Sequence, residues 1–205
     1  IGYVEGKNII IEWRFADEKR DRLPAVAAEL VRLKADVIVT AGPSPTRAAK
    51  EATSTIPIVM TNDADPVAVG IVSSLARPGG NITGLSTFAP ELSGKRLEIL
   101  KEVVPKLSRV AVLGTSIDPG YGQMSKEINL AGKQLKVTLQ FLDVLDSTDF
   151  AAAFRAANKG RADGVLTLSG GGILISQRAQ LAEFAVKNRL PVICPDSRYV
   201  EAGGL

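Results

Sequence analysis

The sequence predicts an α/β fold of two doubly wound, parallel-sheet lobes. Short apolar runs alternate with helical segments that carry apolar residues every three or four positions, the signature of strand–helix–strand units. The alternation runs, passes through one long helix and restarts, which divides the chain into two sheets. The 205 residues hold too few repeats to close into a single strand–helix barrel.

Residues 8–15 read as a strand with Ile9, Ile11, Trp13 and Phe15 on one face. The next segment places Leu23, Val26, Ala27, Leu30 and Leu33 on one helical stripe. Pro24 suits its first turn, where a missing N–H costs nothing. Residues 36–40 (DVIVT) form a short buried strand, 46–53 a helix, 57–61 (PIVMT) a strand, and 81–86 (NITGLS) another. A long helix follows over residues 90–104, with Leu92, Leu97, Leu100 and Val104 inward and Pro105 ending it. The second series opens with strand 109–114 (RVAVLG) and a helix with Tyr121, Met124, Ile128, Ala131 and Leu135 on one stripe. Strand 136–144, a helix bearing Phe150 and Phe154, strand 164–168, helix 174–187 and strand 191–194 complete it. The lobes are expected at 1–87 and 88–197, with 198–205 returning to the first. Residues 2–6 read as a loop after a helix and 202–205 stop where an element is due, so further sequence is expected at both ends.

Apolar residues at 45% supply a packed core, and 23% charged residues suit a solvated surface. Twenty-five basic and 22 acidic residues are interspersed, so the net charge of +3 carries no nucleic-acid footprint. No apolar stretch approaches the ~20 residues of a membrane helix, and no signal peptide opens the chain. A single cysteine, Cys194, excludes an internal disulfide and is expected as a buried thiol. The absence of histidine removes Ser-His-Asp triads, His-assisted cysteine catalysis and nearly all zinc patterns. Neither a P-loop nor a GxGxxG fingerprint is present. No metal, cofactor or catalytic residue is therefore expected.

In open parallel sheets, ligands sit outside the carboxyl ends of the strands, and that rule selects five loops. In the loop after DVIVT, Ser44 reads as an N-cap with Pro45 at the first helical position. Ser44 and Thr46 either meet a ligand carboxylate at the helix start or merely cap their own helix. In the loop after PIVMT, Asp63 and Asp65 either take a ligand ammonium or hydroxyls, or Asp65 simply starts a turn before Pro66. After RVAVLG, Asp118-Pro119 again reads as N-cap and first helical residue. Tyr121 offers a ring to a ligand or joins the core stripe. The glycines around Gly170 either admit close backbone approach or form a plain turn. After PVIC, Asp196 either meets a ligand amine or pairs with Arg198. Polar side chains converge with no base paired to a nucleophile, which favours binding over catalysis.

The segments GYVEGKNIIIEWRFA, ADVIVTAGPSPTRAAKEAT, IPIVMTNDADPVAVGIVSSLARPGGNITGLS, KRLEILKEVVPKLSRVAVLG and PDSRYVEAGGL together resemble the ABC-transporter substrate-binding family that includes receptors for tryptophan and other aromatic amino acids. The combination of LARPGGNITG and DSRYVEAGG is the most specific part, and the likeness spans essentially the whole chain. It implies a type I periplasmic-binding-protein fold, with two Rossmann-like lobes, three crossover strands and a ligand cleft between them. It also implies an extracytoplasmic, monomeric receptor that closes on a small molecule, such as an amino acid, and docks on a membrane permease. The effector-binding domain of a LacI-like transcription regulator shares this fold and is the second reading; an enzyme of the doubly wound class is the third.

Overall fold

The computed structural model describes residues 2–17, 19–87, 89–168 and 172–203. It contains two parallel sheets. The first orders its strands β1-β2-β3, with β1 at Ile38–Thr40, β2 at Ile58–Ala64 and β3 at Ile82–Thr87. A 3-10 turn at Arg20–Arg22 leads into helix α1 (Leu23–Arg32), and α2 (Pro43–Ala52) connects β1 to β2. The second sheet orders its strands β5-β4-β6-β7, with β4 at Arg109–Gly114, β5 at Thr138–Asp143, β6 at Gly164–Thr167 and β7 at Val192–Ile193. Around it lie α3 (Ala89–Val103), α4 (Tyr121–Leu135), α5 (Asp149–Lys159), α6 (Gly172–Ser176), α7 (Arg178–Asn188) and α8 (Arg198–Glu201).

The second sheet is a sandwiched layer. Successive β4 side chains point to opposite faces, so Val110 and Val112 enter one core and Ala111 and Leu113 the other. The first core holds Leu97 and Leu100 of α3 with Met124 and Ile128 of α4. The second holds Phe150 and Phe154 of α5 with Leu181 and Ala185 of α7. That double cover explains the unbroken apolar run RVAVLG, because a strand buried on both faces has no solvent side to alternate with. In this sheet the strand order turns at β4, with β5 on one side and β6 on the other. The turning point opens a crevice at the carboxyl ends of β4 and β6.

The first sheet has a single core, in which Ile38, Ile58, Met60 and Ile82 meet Ala49 of α2 and Ile71 and Val72 of the following loop. Among the described residues its other face carries no second core, and Val39 and Leu85 are 65% and 69% exposed. Strands β2 and β3 approach closely at Gly84, where a Cβ would lie 2.0 Å from the Met60 carbonyl oxygen. Only glycine fits that contact, which explains the NITG sequence.

Most expected elements form, and several differ. Residues 8–15 are not a strand. The segment makes only an isolated Glu5–Ile9 bridge, and Trp13 and Phe15 stack on each other at the surface. A strand exists through its hydrogen-bonded neighbour, and none among the described residues pairs with this one. Helix 174–187 is broken at Gln177 into α6 and α7. Leu92, expected inward, is 55% exposed. Tyr199 of α8 is buried in the core of the second sheet and α8 packs on α7, so residues 198–201 sit with the second sheet rather than the first.

Candidate functional site

A cavity of about 410 Å³ opens between the carboxyl-end loops of the two sheets. Phe15, Leu23, Leu145 and Ile173 give it apolar walls, and Asp17, Arg20, Ser44, Asp118 and Ser176 give it polar ones; Asp17 is engaged by Arg22. Arg20 projects from the turn that precedes α1. Its Nη1 donates to Ser44 Oγ at 3.2 Å, and its Nη2 forms a close ion pair with Asp118. Ser44 follows β1 and Asp118 follows β4, so one guanidinium ties together the loop ends of both sheets.

Asp118 is 7% exposed, and its Oδ2 is buried with no hydrogen-bond partner among the described residues. Burial pushes its carboxyl above the usual range, and the adjacent Arg20 charge pulls it part of the way back. Arg20 keeps 27% of its side chain accessible and is the one basic side chain among the described residues lining the cavity.

The start of α2 differs from its sequence reading. The helix begins at Pro43, after Gly42 in a positive-φ conformation, so Ser44 lies in the first turn and caps nothing. Pro43 and Pro45 have no N–H, and the Thr46 N–H is taken by the Gly42 carbonyl. Ser44 alone is left to offer a first-turn N–H, and the helix end is a poorer anion cradle than its position implies. Helix α4 likewise starts at Tyr121 after Gly120, not at Pro119, and Asp118 is free of capping duty.

Of the residues singled out in the sequence, Ser44 and Asp118 come together across the cavity. Thr46 is fully buried behind it. Its hydroxyl donates to the Gly42 carbonyl at 2.9 Å and lies 2.8 Å from the Thr40 hydroxyl. Asp65, at positive φ, accepts from the Ala68 N–H at 3.1 Å and from Gln123 Nε2 at 2.9 Å; it holds a turn and links β2 to α4. Tyr121 packs against the α3–α4 core. Asp196 accepts from Arg198 Nε at 2.8 Å and from its Nη2 at 2.5 Å, and this pair holds its carboxyl down at about 2. Gly170 lies outside the described residues.

Sequence reasoning missed two groups, Arg20 and Arg96. Arg20 follows no strand, so the strand-end rule never selects it. Asp63, singled out beside Asp65, does not line the cavity: it lies within β2 with 0% exposure, and neither carboxylate oxygen has a partner in bonding geometry among the described residues. Burial pushes its carboxyl up, although the Thr46 hydroxyl and Gly42 N–H lie near enough to moderate the effect. Arg96 sits behind the second-sheet strand ends. Its Nη1 donates to the Thr167 carbonyl at 2.6 Å and its Nη2 to Ser93 Oγ at 2.9 Å, joining α3 to the end of β6. Burial lowers that guanidinium to about 10 and raises the neighbouring Cys194 thiol to about 11; Cys194 is half-buried rather than the fully buried thiol expected. Among the described residues, no group of acidic or cysteine side chains is arranged to hold a metal ion.

Comparison with known proteins bears on the fold and the family. The tyrosine-binding protein of Clostridioides difficile (strain R20291) is 28% identical over 204 residues; the match covers the whole of this chain and 58% of that relative's length. A conserved domain protein from Vibrio cholerae superposes with a TM-score of 0.91 at 27% identity, covering 100% of this chain and 68% of the other. A domain from Streptococcus pneumonia solved with L-Trp shares the fold, with a TM-score of 0.86 at 19% identity over 97% of this chain and 67% of that one. The fold is that of the type I periplasmic binding proteins. The family model of the ABC transporter substrate binding proteins matches residues 1–205, and the chain belongs to that family.

Proposed function

We propose that this chain is the ligand-binding portion of an extracytoplasmic receptor for an ABC importer. It captures a small solute between two lobes and performs no chemistry on it. The first lobe runs through residue 87, where the first sheet ends, and the second from 88 to 197. One observation carries the reading: the cavity lies where the strand-end loops of both sheets face each other, and its polar groups come from both. A solute touching both lobes stabilises the closed arrangement by its greater affinity for that state, and the closed form docks on a permease.

The apolar walls and the short polar strip suit a solute with a compact apolar body and a polar head. An amino acid or an aromatic acid has that shape, and the named ligands of the similar proteins, tyrosine and L-Trp, point the same way. Native mass spectrometry of the purified protein is expected to reveal a co-purified small molecule that leaves on denaturation. Small-angle scattering should record contraction when that molecule is added back. A solute that binds without contraction would overturn the closure mechanism.

A further inference from the structure

We propose that Arg20 is the carboxylate-reading residue of the cleft, held ready for that role by Asp118 and Ser44. The inference rests on the solute-binding reading above and narrows it to solutes that carry a carboxylate. Arg20 lines the cavity with part of its side chain still accessible, and it supplies the one basic side chain among the described lining residues. A guanidinium has five N–H donors. Two of its nitrogens are engaged here, by Ser44 and by Asp118, and these bonds fix the plane of the group without exhausting its donors. An arginine so oriented loses little side-chain freedom when a second carboxylate arrives.

The competing anion subsite is weak. The first turn of α2 contains Pro43 and Pro45, and Thr46 spends its N–H on Gly42, so the helix start offers one donor where an unblocked helix offers several. A carboxylate entering the cavity therefore meets Arg20 first, with the Ser44 N–H as a second donor. Asp118 stands beside Arg20 rather than opposite it: its Oδ1 is ion-paired with the guanidinium and its Oδ2 is buried, so it orients Arg20. The site thus sets an acid group on Arg20, with the apolar body against Phe15, Leu145 and Ile173.

The test is a matched set of probes: L-tyrosine, 3-(4-hydroxyphenyl)propionate, which lacks the amine, and tyramine, which lacks the carboxylate. These are titrated by calorimetry into the wild type, Arg20→Gln and Arg20→Lys, beside a thermal-shift screen of amino acids, carboxylic acids, sugars and nucleosides. The expected result is that carboxylates bind the wild type and tyramine does not. Arg20→Gln should weaken every bound carboxylate at least tenfold, and Arg20→Lys should recover part of that loss. Unchanged carboxylate affinity in Arg20→Gln overturns the assignment, as does tyramine binding as tightly as L-tyrosine. Capture of sugars or nucleosides but no carboxylate overturns it while leaving the solute-binding reading standing. Capture of no solute of any class overturns the reading on which it rests.

Discussion

Strands β1 and β4 look alike in sequence and end in different surroundings. DVIVT and RVAVLG are both short apolar runs, yet Val39 of β1 is 65% exposed while Val112 of β4 is fully buried. The difference is not in the strands. Strand β4 has helices on both faces, feeding two cores, whereas the described residues cover the sheet containing β1 on one face only. Burial is a property of layers, and a strand's composition reports only how many layers it can satisfy.

The largest test of that contrast is in the doubly covered sheet. Phe150→Ala removes a fully buried ring from the α5 core, and a loss of about 3–5 kcal/mol in denaturant unfolding is expected. A smaller loss would mean that this core collapses around the vacancy. Asp63→Asn tests the singly covered sheet in the opposite direction. The Asp63 pKa is raised in the folded state, so the wild type loses stability as the pH rises above the ordinary carboxylate value of 3.8. The neutral amide escapes that loss. The variant should therefore be more stable near pH 7 by roughly 1 kcal/mol, the scale of an unsatisfied buried group, with the gap closing below the ordinary carboxylate value. Thermal unfolding across pH reads this directly, and a variant less stable than wild type at neutral pH would refute it. The smallest effect belongs to the open face: Val39→Thr should change stability by no more than about 0.5 kcal/mol, since it alters a side chain that already meets solvent.

The same contrast explains how much could be read from the sequence. Helices α1, α4 and α5 and all the paired strands were legible because an apolar stripe or run survives any choice of partner. Residues 8–15 misled because period-two alternation records a strand's faces but not whether a neighbour exists to pair with it. In the site, the strand-end rule found Ser44 and Asp118, since sheet topology alone delivers them to the cleft. It named Thr46, Asp65 and Tyr121 for the same reason, but one helical step decides whether a side chain faces the cavity or the interior. Thr46 turns to Thr40, Asp65 to Gln123 and Tyr121 to the α3–α4 core. Asp196 was left between two roles, and its bonds go to Arg198. Arg20 was illegible because its importance comes from a fold-back across 24 residues to Ser44, which no local pattern records.

The end of β2 sets a mechanical asymmetry. Ala64 belongs to the core of the second sheet, and Asp65 beside it is fastened to Gln123 of α4. Nearby, the Arg20–Asp118 pair is a contact between groups that water can solvate once they part. Separating the sheets at β2 would expose packed apolar surface, whereas separating them at Arg20 exchanges one ion pair for hydration. Any parting of the sheets should therefore begin at Arg20, with Ala64 the last point to give.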